Sequence, residues 1–254
     1  MNEVPTILDE SEYYGRQRGM NVGFELIYEL GPCLVINKPG GVLTQAVPGV
    51  DSIEVRLKSF LKQREGKTSG DIYLGVPHRL DRPVSGAMVF GRNIRATRRL
   101  AEQFEGRMVD KIYWASVEGS VPDDSGTWRD FTRKVPDEPR AEIVDRQHPD
   151  ARLAVLNYRV LHRLAAATWL EIKLETGRMH QIRLQVAARG FPVVGDSQYG
   201  STQLFGPQTE DWRERWIALH ARVLSFRHPM SREQVQVTAP LPVAWEAFGQ
   251  LTPT

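Results

Sequence analysis

The chain alternates short apolar stretches with polar breaks marked by Gly and Pro. Residues 1–20 are polar and aperiodic and read as a loose arm. FELIYEL (24–30) alternates apolar and polar positions as a half-buried strand does. Gly31-Pro32 marks a turn, and CLVINKP (33–39) supplies a partner strand. After the Gly-rich NKPGGVLT loop, Asp51-Ser52 caps a helix whose apolar stripe is Ile53, Leu57, Phe60 and Leu61. REGKTSGD is a loop, and SGAMVFG (85–91) is an apolar strand. Asn93 caps a second helix, expected to turn Ile94, Thr97, Leu100, Ala101 and Phe104 inward and Arg92, Arg95, Arg98 and Arg99 outward.

KIYWASVEG (111–119) reads as a strand, followed by a VPDDSG turn. Residues 127–150 are polar and broken by Pro, and are expected to form a long loop or small insertion. ARLAVLNYRVLHR and ATWLEIKLE read as long strands, and RMHQIRLQVAARG (178–190) as a helix ending at Gly190. A loop follows, GDSQYGSTQLFGPQTED. WIALHARVLSFRHP and EQVQVTAP read as strands and PVAWEAFGQL as a closing helix. Strands dominate, helices interrupt them irregularly, and there is no βαβ or internal repeat. The expectation is an α+β fold, a mainly antiparallel mixed sheet with flanking helices. No linker divides the chain, so residues 21–254 are expected to form one domain.

Composition narrows the classes. With 254 residues, 41% of them hydrophobic and 25% charged, the chain has the mass for a core and the polarity of a soluble protein. No apolar run approaches the roughly 18 residues of a membrane helix. The start does not resemble a signal peptide, so a cytoplasmic protein is expected. A single cysteine, Cys33, rules out an intramolecular disulfide and a cysteine zinc cluster. The net charge of +2 says little, but the basic residues are mostly Arg, which suits phosphate, and equally suits an ordinary solvated surface. The chain lacks G-x-x-x-x-G-K-[ST], a G-x-G-x-x-G after a strand, G-x-S-x-G, and any His spacing typical of zinc sites. No cofactor and no metal are expected, and a monomer is the default.

Two segments stand out on physical grounds. HRLDRPVSG (78–86) places His78, Arg79 and Asp81 at the mouth of a buried strand, where charges must be solvated, paired or used. In the 178–190 helix, Arg183 sits among Ile182, Leu184, Val186 and Ala187 and needs an anion. An Asp81–Arg183 pair would hold Asp81 ionised, and an oriented carboxylate is a candidate nucleophile. The alternative is structural: Asp81 bonded to backbone amides or Arg79, and Arg183 paired with Glu175 or Asp196. A glycosidase would need a second carboxylate, which neither segment offers.

The motifs resemble those of the RluA family of pseudouridine synthases. HRLDRPVSG resembles H-R-L-D-x-x-[TS]-S-G, KIYWASVEG resembles K-x-Y-x-A-x-V-x-G, and TGRMHQIR with GFPVVGDSQYG is similar to the T-G-R-x-H-Q-I-R and G-x-P-x-x-G-D-x-x-Y-G blocks. NKPGGV and LHARVLSFRHP match two further segments, in the family's order. The resemblance implies isomerisation of uridine to pseudouridine in rRNA or tRNA, without cofactor or metal. It implies Asp81 as catalytic carboxylate, Tyr113 as the ring that stacks on the base and assists proton removal, and Arg183 as the partner of Asp81. Arg79 would fill the space left by the flipped nucleotide or contact phosphate. His78, Leu80, Arg178, His180, Gln181 and Lys38 would support or contact the substrate. Val84, Gly91, Arg92 and Gln185 depart from the family pattern. The roughly 20 residues before the first strand are too few for the S4-type domain of larger members, so a form without it is expected.

Overall fold

The structure is a computed structural model that describes residues 23–249. The expected N-terminal arm, residues 1–20, lies outside the described residues.

The chain opens with β1 (Glu25–Leu30) and β2 (Cys33–Lys38), an antiparallel hairpin across Gly31-Pro32. Helix α1 (Ile53–Arg64) starts at Ser52, whose side chain accepts from the Val55 N–H, and buries Ile53, Leu57, Phe60 and Leu61 as expected. β3 (Ser85–Gly91) pairs with β2. Helix α2 (Ile94–Glu105) is capped by Asn93. β2 and β3 are apolar on both sides because both are covered. Leu34, Ile36, Met88 and Phe90 face the core under α1, while Cys33, Val35, Ala87 and Val89 face a second cluster that includes Leu100 of α2.

The inward face of α2 differs in part from expectation. Ile94 is exposed, whereas Ala96, Leu100 and Gln103 are buried. Gln103 fills its inward place because its amide is satisfied, donating to Arg227 O and accepting from the Arg227 N–H. Arg95 and Arg98 face outward, but Arg92 reaches Glu29 and Glu65, and Arg99 donates to Pro229 O.

β4 (Asp110–Glu118), β7 (Arg152–Arg163), β8 (Ala167–Leu174), β9 (Leu219–Arg227) and β10 (Gln234–Thr238) appear where the sequence places strands. Residues 127–150 are not a loop. They carry most of β5 (Ser125–Lys134), which pairs with β7 from Ser125 to Thr132, and the short β6 (Ala141–Ile143). The period of β5 is hidden in the sequence because its inward positions hold Gly126, Asp130 and Thr132 around the single apolar Trp128 rather than an apolar row. The helix expected over 178–190 is shorter: α3 spans Gln181–Ala187, because the backbone at His180 turns left-handed (φ +50°). The closing helix is a 3-10 segment, Val243–Phe248.

The strands form one sheet in the order β1-β2-β3-β9-β4-β8-β7-β5-β6, with β10 also on β9. Among the described residues all strand pairings are antiparallel except β3 with β9, which touch only at Ser85↔His220 and Gly86↔Ala221. Beyond that point β10 takes the same edge of β9, from Val223 to Arg227. The sheet therefore splits where β3 begins, and the loop that carries Asp81 enters at the split. Gly86 permits the close approach: its φ is +122°, and a Cβ there would lie 2.4 Å from Ala221 O. The register continues from Gly86 to Ala221, Tyr113 and Ile172, so Tyr113 of β4 lies in the row next to the Asp81 loop. Among the described residues, no helix is long and apolar enough to cross a membrane.

Candidate active site

A cavity of about 710 Å³ opens at this split. It is lined by the 78–81 loop, the end of α2, the start of β4, and the 173–183 segment that runs from β8 into α3. Asp81, Tyr113, Arg183, His78, Arg79, Leu80, Arg178, His180 and Gln181 all line it, so the structure brings together nine of the ten residues singled out in the sequence.

Lys38 is the exception. Its side chain is fully buried, and its amine donates to Pro39 O (2.7 Å), Val84 O (2.7 Å) and Arg82 O (3.2 Å). It fastens the loop that bears Asp81 and does not line the cavity. Burial pulls the Lys38 pKa down to about 7, against the opposing pull of the Asp81 charge.

The Asp81 carboxylate is 30% exposed and faces two groups of α3 and its approach. Arg183 Nη1 lies 3.6 Å from Asp81 Oδ2, and His180 Nε2 also lies 3.6 Å from it. These are electrostatic contacts, too long for good hydrogen bonds. The tight partner of Arg183 is Asp196, which accepts from Nε at 2.6 Å and Nη2 at 2.7 Å. Arg183 thus takes the Asp196 partner that the structural alternative offered and still presents its outer nitrogen to Asp81. Burial works against the Arg183 charge, but the bidentate bond to Asp196, with Asp81 beside it, holds the guanidinium ionised. Tyr199 places its ring 5.0 Å from the guanidinium carbon.

His180 bridges Asp81 and the Tyr199 hydroxyl, which is 2.9 Å from Nδ1. Burial lowers its pKa below the usual imidazole value, although the Asp81 charge pulls the other way. Burial, then the Asp81 charge, raises the Tyr113 hydroxyl well above the usual phenol range, so it stays protonated at neutral pH. His78 stacks on Phe104 at 4.2 Å, and its Nε2 accepts from the Val89 N–H. Burial, with a smaller effect from Lys111, drops its pKa to about 3. Leu80 is buried, and its N–H and C=O both meet the Thr44 hydroxyl.

Gln181 is buried, accepts from the Arg178 N–H and Thr176 Oγ1, and donates to Val155 O and Gln185 Oε1. Gln185, one of the departures from the family pattern, is itself buried and donates to Asp130 on β5. Arg178 donates to Leu153 O. Arg79, Arg107, Lys111, Lys173 and Arg178 line the cavity beside three carboxylates, Glu105, Asp110 and Glu175. Sequence reasoning did not single out Phe104, Lys111, Gln198 or Tyr199. The signal for Tyr199 was in the GDSQYG block, but a residue type alone does not say which side chain it reaches.

The model of the RNA pseudouridylate synthase family matches residues 32–188. The chain is 34% identical over 248 residues to the ribosomal large subunit pseudouridine synthase D of Xanthomonas campestris pv. campestris, covering 94% of this chain and 72% of that protein. It is 31% identical over 239 residues to the protein of the same name from Pseudomonas aeruginosa, covering 92% and 73%. The solved structure of human RNA pseudouridylate synthase domain containing 1 superposes with a TM-score of 0.69 at 25% identity, over 89% of this chain and 87% of that one. Five motifs in order, a sheet-dominated α+β fold and these matches lead to one conclusion: the chain belongs to the RNA pseudouridylate synthase family, and it is an isomerase that acts on uridine in RNA.

Proposed function

We propose that this protein converts uridines of ribosomal RNA to pseudouridine, with Asp81 as the nucleophile. The observation that carries the reading is the unequal sharing of Arg183. Asp196 takes its bidentate edge, which leaves the partly exposed Asp81 carboxylate beside a fixed positive charge and open to the cavity. Ribosomal RNA is favoured by the names of the relatives from Xanthomonas and Pseudomonas.

The target base leaves its stack, at a cost of a few kcal/mol, to reach an enclosed carboxylate. The Asp81 carboxylate adds to C1′ as the N1–C1′ bond breaks. The released uracil turns within the cavity, and its C5 attacks C1′ and displaces Asp81. C5 gives its proton to water and N1 takes one from water, so the reaction is an isomerisation with no net redox change. Arg183 keeps a positive charge 3.6 Å from Asp81, where the carboxylate's charge is regenerated in the second displacement. Tyr113 offers a stacking face of about 1–3 kcal/mol. Its protonated hydroxyl serves as a hydrogen-bond donor and is a poor base for the C5 proton. Arg79, exposed at the mouth, and the cavity-lining cations Arg107, Lys111 and Arg178 meet the flanking phosphates.

Tritium release from RNA labelled at uracil C5 tests this reading, with large-subunit ribosomal RNA and bulk transfer RNA as separate substrates. Release from the ribosomal RNA is expected. Release from transfer RNA alone would overturn the assigned substrate, and release from neither would overturn the activity.

A further inference from the structure

The turn between β5 and β6, taken with the first residue of β6 (residues 135–141), has no part in the reaction described above, yet it connects to both groups that face Asp81. Gln198 donates from Nε2 to Pro139 O (3.2 Å) and accepts at Oε1 from Arg183 Nη2 (2.8 Å). The Tyr199 hydroxyl receives the Ala141 N–H (2.9 Å) and lies 2.9 Å from His180 Nδ1. Each partner of Asp81 is therefore one side chain away from this turn. The two relay residues are adjacent, in the 3-10 turn Ser197–Tyr199.

The proton count makes the arrangement specific. A phenol hydroxyl has one proton to give. The Ala141 N–H occupies a lone pair, and two acceptors lie in reach of the hydroxyl, Ala141 O at 3.3 Å and His180 Nδ1 at 2.9 Å; the shorter contact takes the Tyr199 proton. The imidazole is neutral, so its own N–H then sits on Nε2, which faces Asp81 Oδ2 at 3.6 Å. The other tautomer would turn a lone pair toward the carboxylate. His180 is also held in a left-handed backbone conformation that an L residue adopts only when its surroundings impose it. On the other arm, Gln198 pins Nη2 of Arg183, the nitrogen that Asp196 also holds, and fixes the direction of Nη1 toward Asp81.

We infer that Gln198 and Tyr199 are positioning residues for the Asp81 carboxylate, and that the β5–β6 turn is the support against which they set it. The inference rests on the reading of Asp81 as the reacting group. It makes a peripheral turn at the edge of the sheet part of the chemical step rather than of RNA binding. A misplacement of the carboxylate costs rate without removing any contact to the RNA.

The test is single-turnover formation of pseudouridine in RNA by the full chain, with KM and thermal melting measured on each protein. The variants are Tyr199→Phe, Gln198→Ala, Gln198→Glu, Asp81→Asn and, as a neighbour in the same turn, Ser197→Ala. Tyr199→Phe and Gln198→Ala are expected to slow the chemical step by about tenfold or more, with KM within about twofold of wild type. Ser197→Ala should match wild type. Gln198→Glu keeps an oxygen for Arg183 but has no N–H for Pro139, so it should remain slow; a wild-type rate would remove the turn from the account. Wild-type rates in Tyr199→Phe and Gln198→Ala would overturn the inference, as would rate losses that merely track lost folding. Gln198 is exposed, so its variants carry the test if Tyr199→Phe folds poorly. An inactive wild type or an active Asp81→Asn would instead overturn the reading beneath it.

Discussion

Two carboxylates approach the Arg183 guanidinium from different loops, and their surroundings differ. The Asp196 side chain is 1% exposed and binds the guanidinium bidentately at 2.6 and 2.7 Å. The Asp81 side chain is 30% exposed and stands 3.6 Å away, with the cavity on its open side. A buried charge needs a partner in full contact, and Asp196 provides it. A reacting carboxylate needs the opposite: enough positive charge nearby to stay ionised, and lone pairs left free for carbon. One Arg meets both needs because its planar fork offers separate edges. The lesson concerns division of labour. The tightest ion pair in the site holds the scaffold, and the looser one is poised to react.

Substitution should separate the two. Asp81→Asn keeps volume and packing, so turnover should fall by about 10⁴-fold or more while thermal melting stays at the wild-type value. Asp196→Ala leaves Arg183 charged and buried, and should cost about 3–5 kcal/mol in urea denaturation, with activity lost as a consequence. Arg183→Ala should also destabilise the fold, chiefly because it strands Asp196 rather than Asp81.

Acid sharpens the contrast between the site and its frame. His220 is buried between the Ser85 hydroxyl and Ala239 O, and burial lowers its pKa to about 4. His78 falls to about 3. The unfolded chain binds these protons near pH 6.5 and the folded chain does not, so stability drops as pH falls below about 6.5. The loss levels off near pH 4 for His220 and near pH 3 for His78. Each should contribute a slope of up to about 1.4 kcal/mol per pH unit, and His220→Asn should remove one share, read by denaturation at stepped pH. The smallest effect belongs far from the cavity. Asp124→Asn breaks an exposed pair with Arg163 and should change stability by less than about 1 kcal/mol, with turnover unaltered.

The strands and helices whose apolar residues recur at period two or four were legible in the sequence, as α1 and the β1–β2 hairpin show. β5 was not, because its inward row includes Gly126, Asp130 and Thr132, and Asp130 is satisfied there only by partners elsewhere, Gln185 and Arg189. Ile94 reads as core by type but lies in the first turn of α2, where the helix faces solvent. At the site, the meeting of Asp81 with Arg183 was foreseen from the cost of burying charge. The priority of Asp196 was not, since both carboxylates were available on paper and only three-dimensional distance ranks them. Lys38 illustrates the converse: the resemblance implied a substrate contact, yet three backbone carbonyls occupy its amine. The Gln198 and Tyr199 relay depends on β6, a three-residue strand within a segment whose sequence reads as loop.

The central claim is that Asp81 performs the chemistry while Asp196 holds the Arg that serves it. The most direct measurement is the single-turnover conversion of uridine to pseudouridine in ribosomal RNA by Asp81→Asn beside wild type, at matched RNA occupancy. The account predicts full RNA binding, a wild-type melting temperature and no conversion. Conversion at a rate near that of wild type would contradict it and return Asp81 to a structural role.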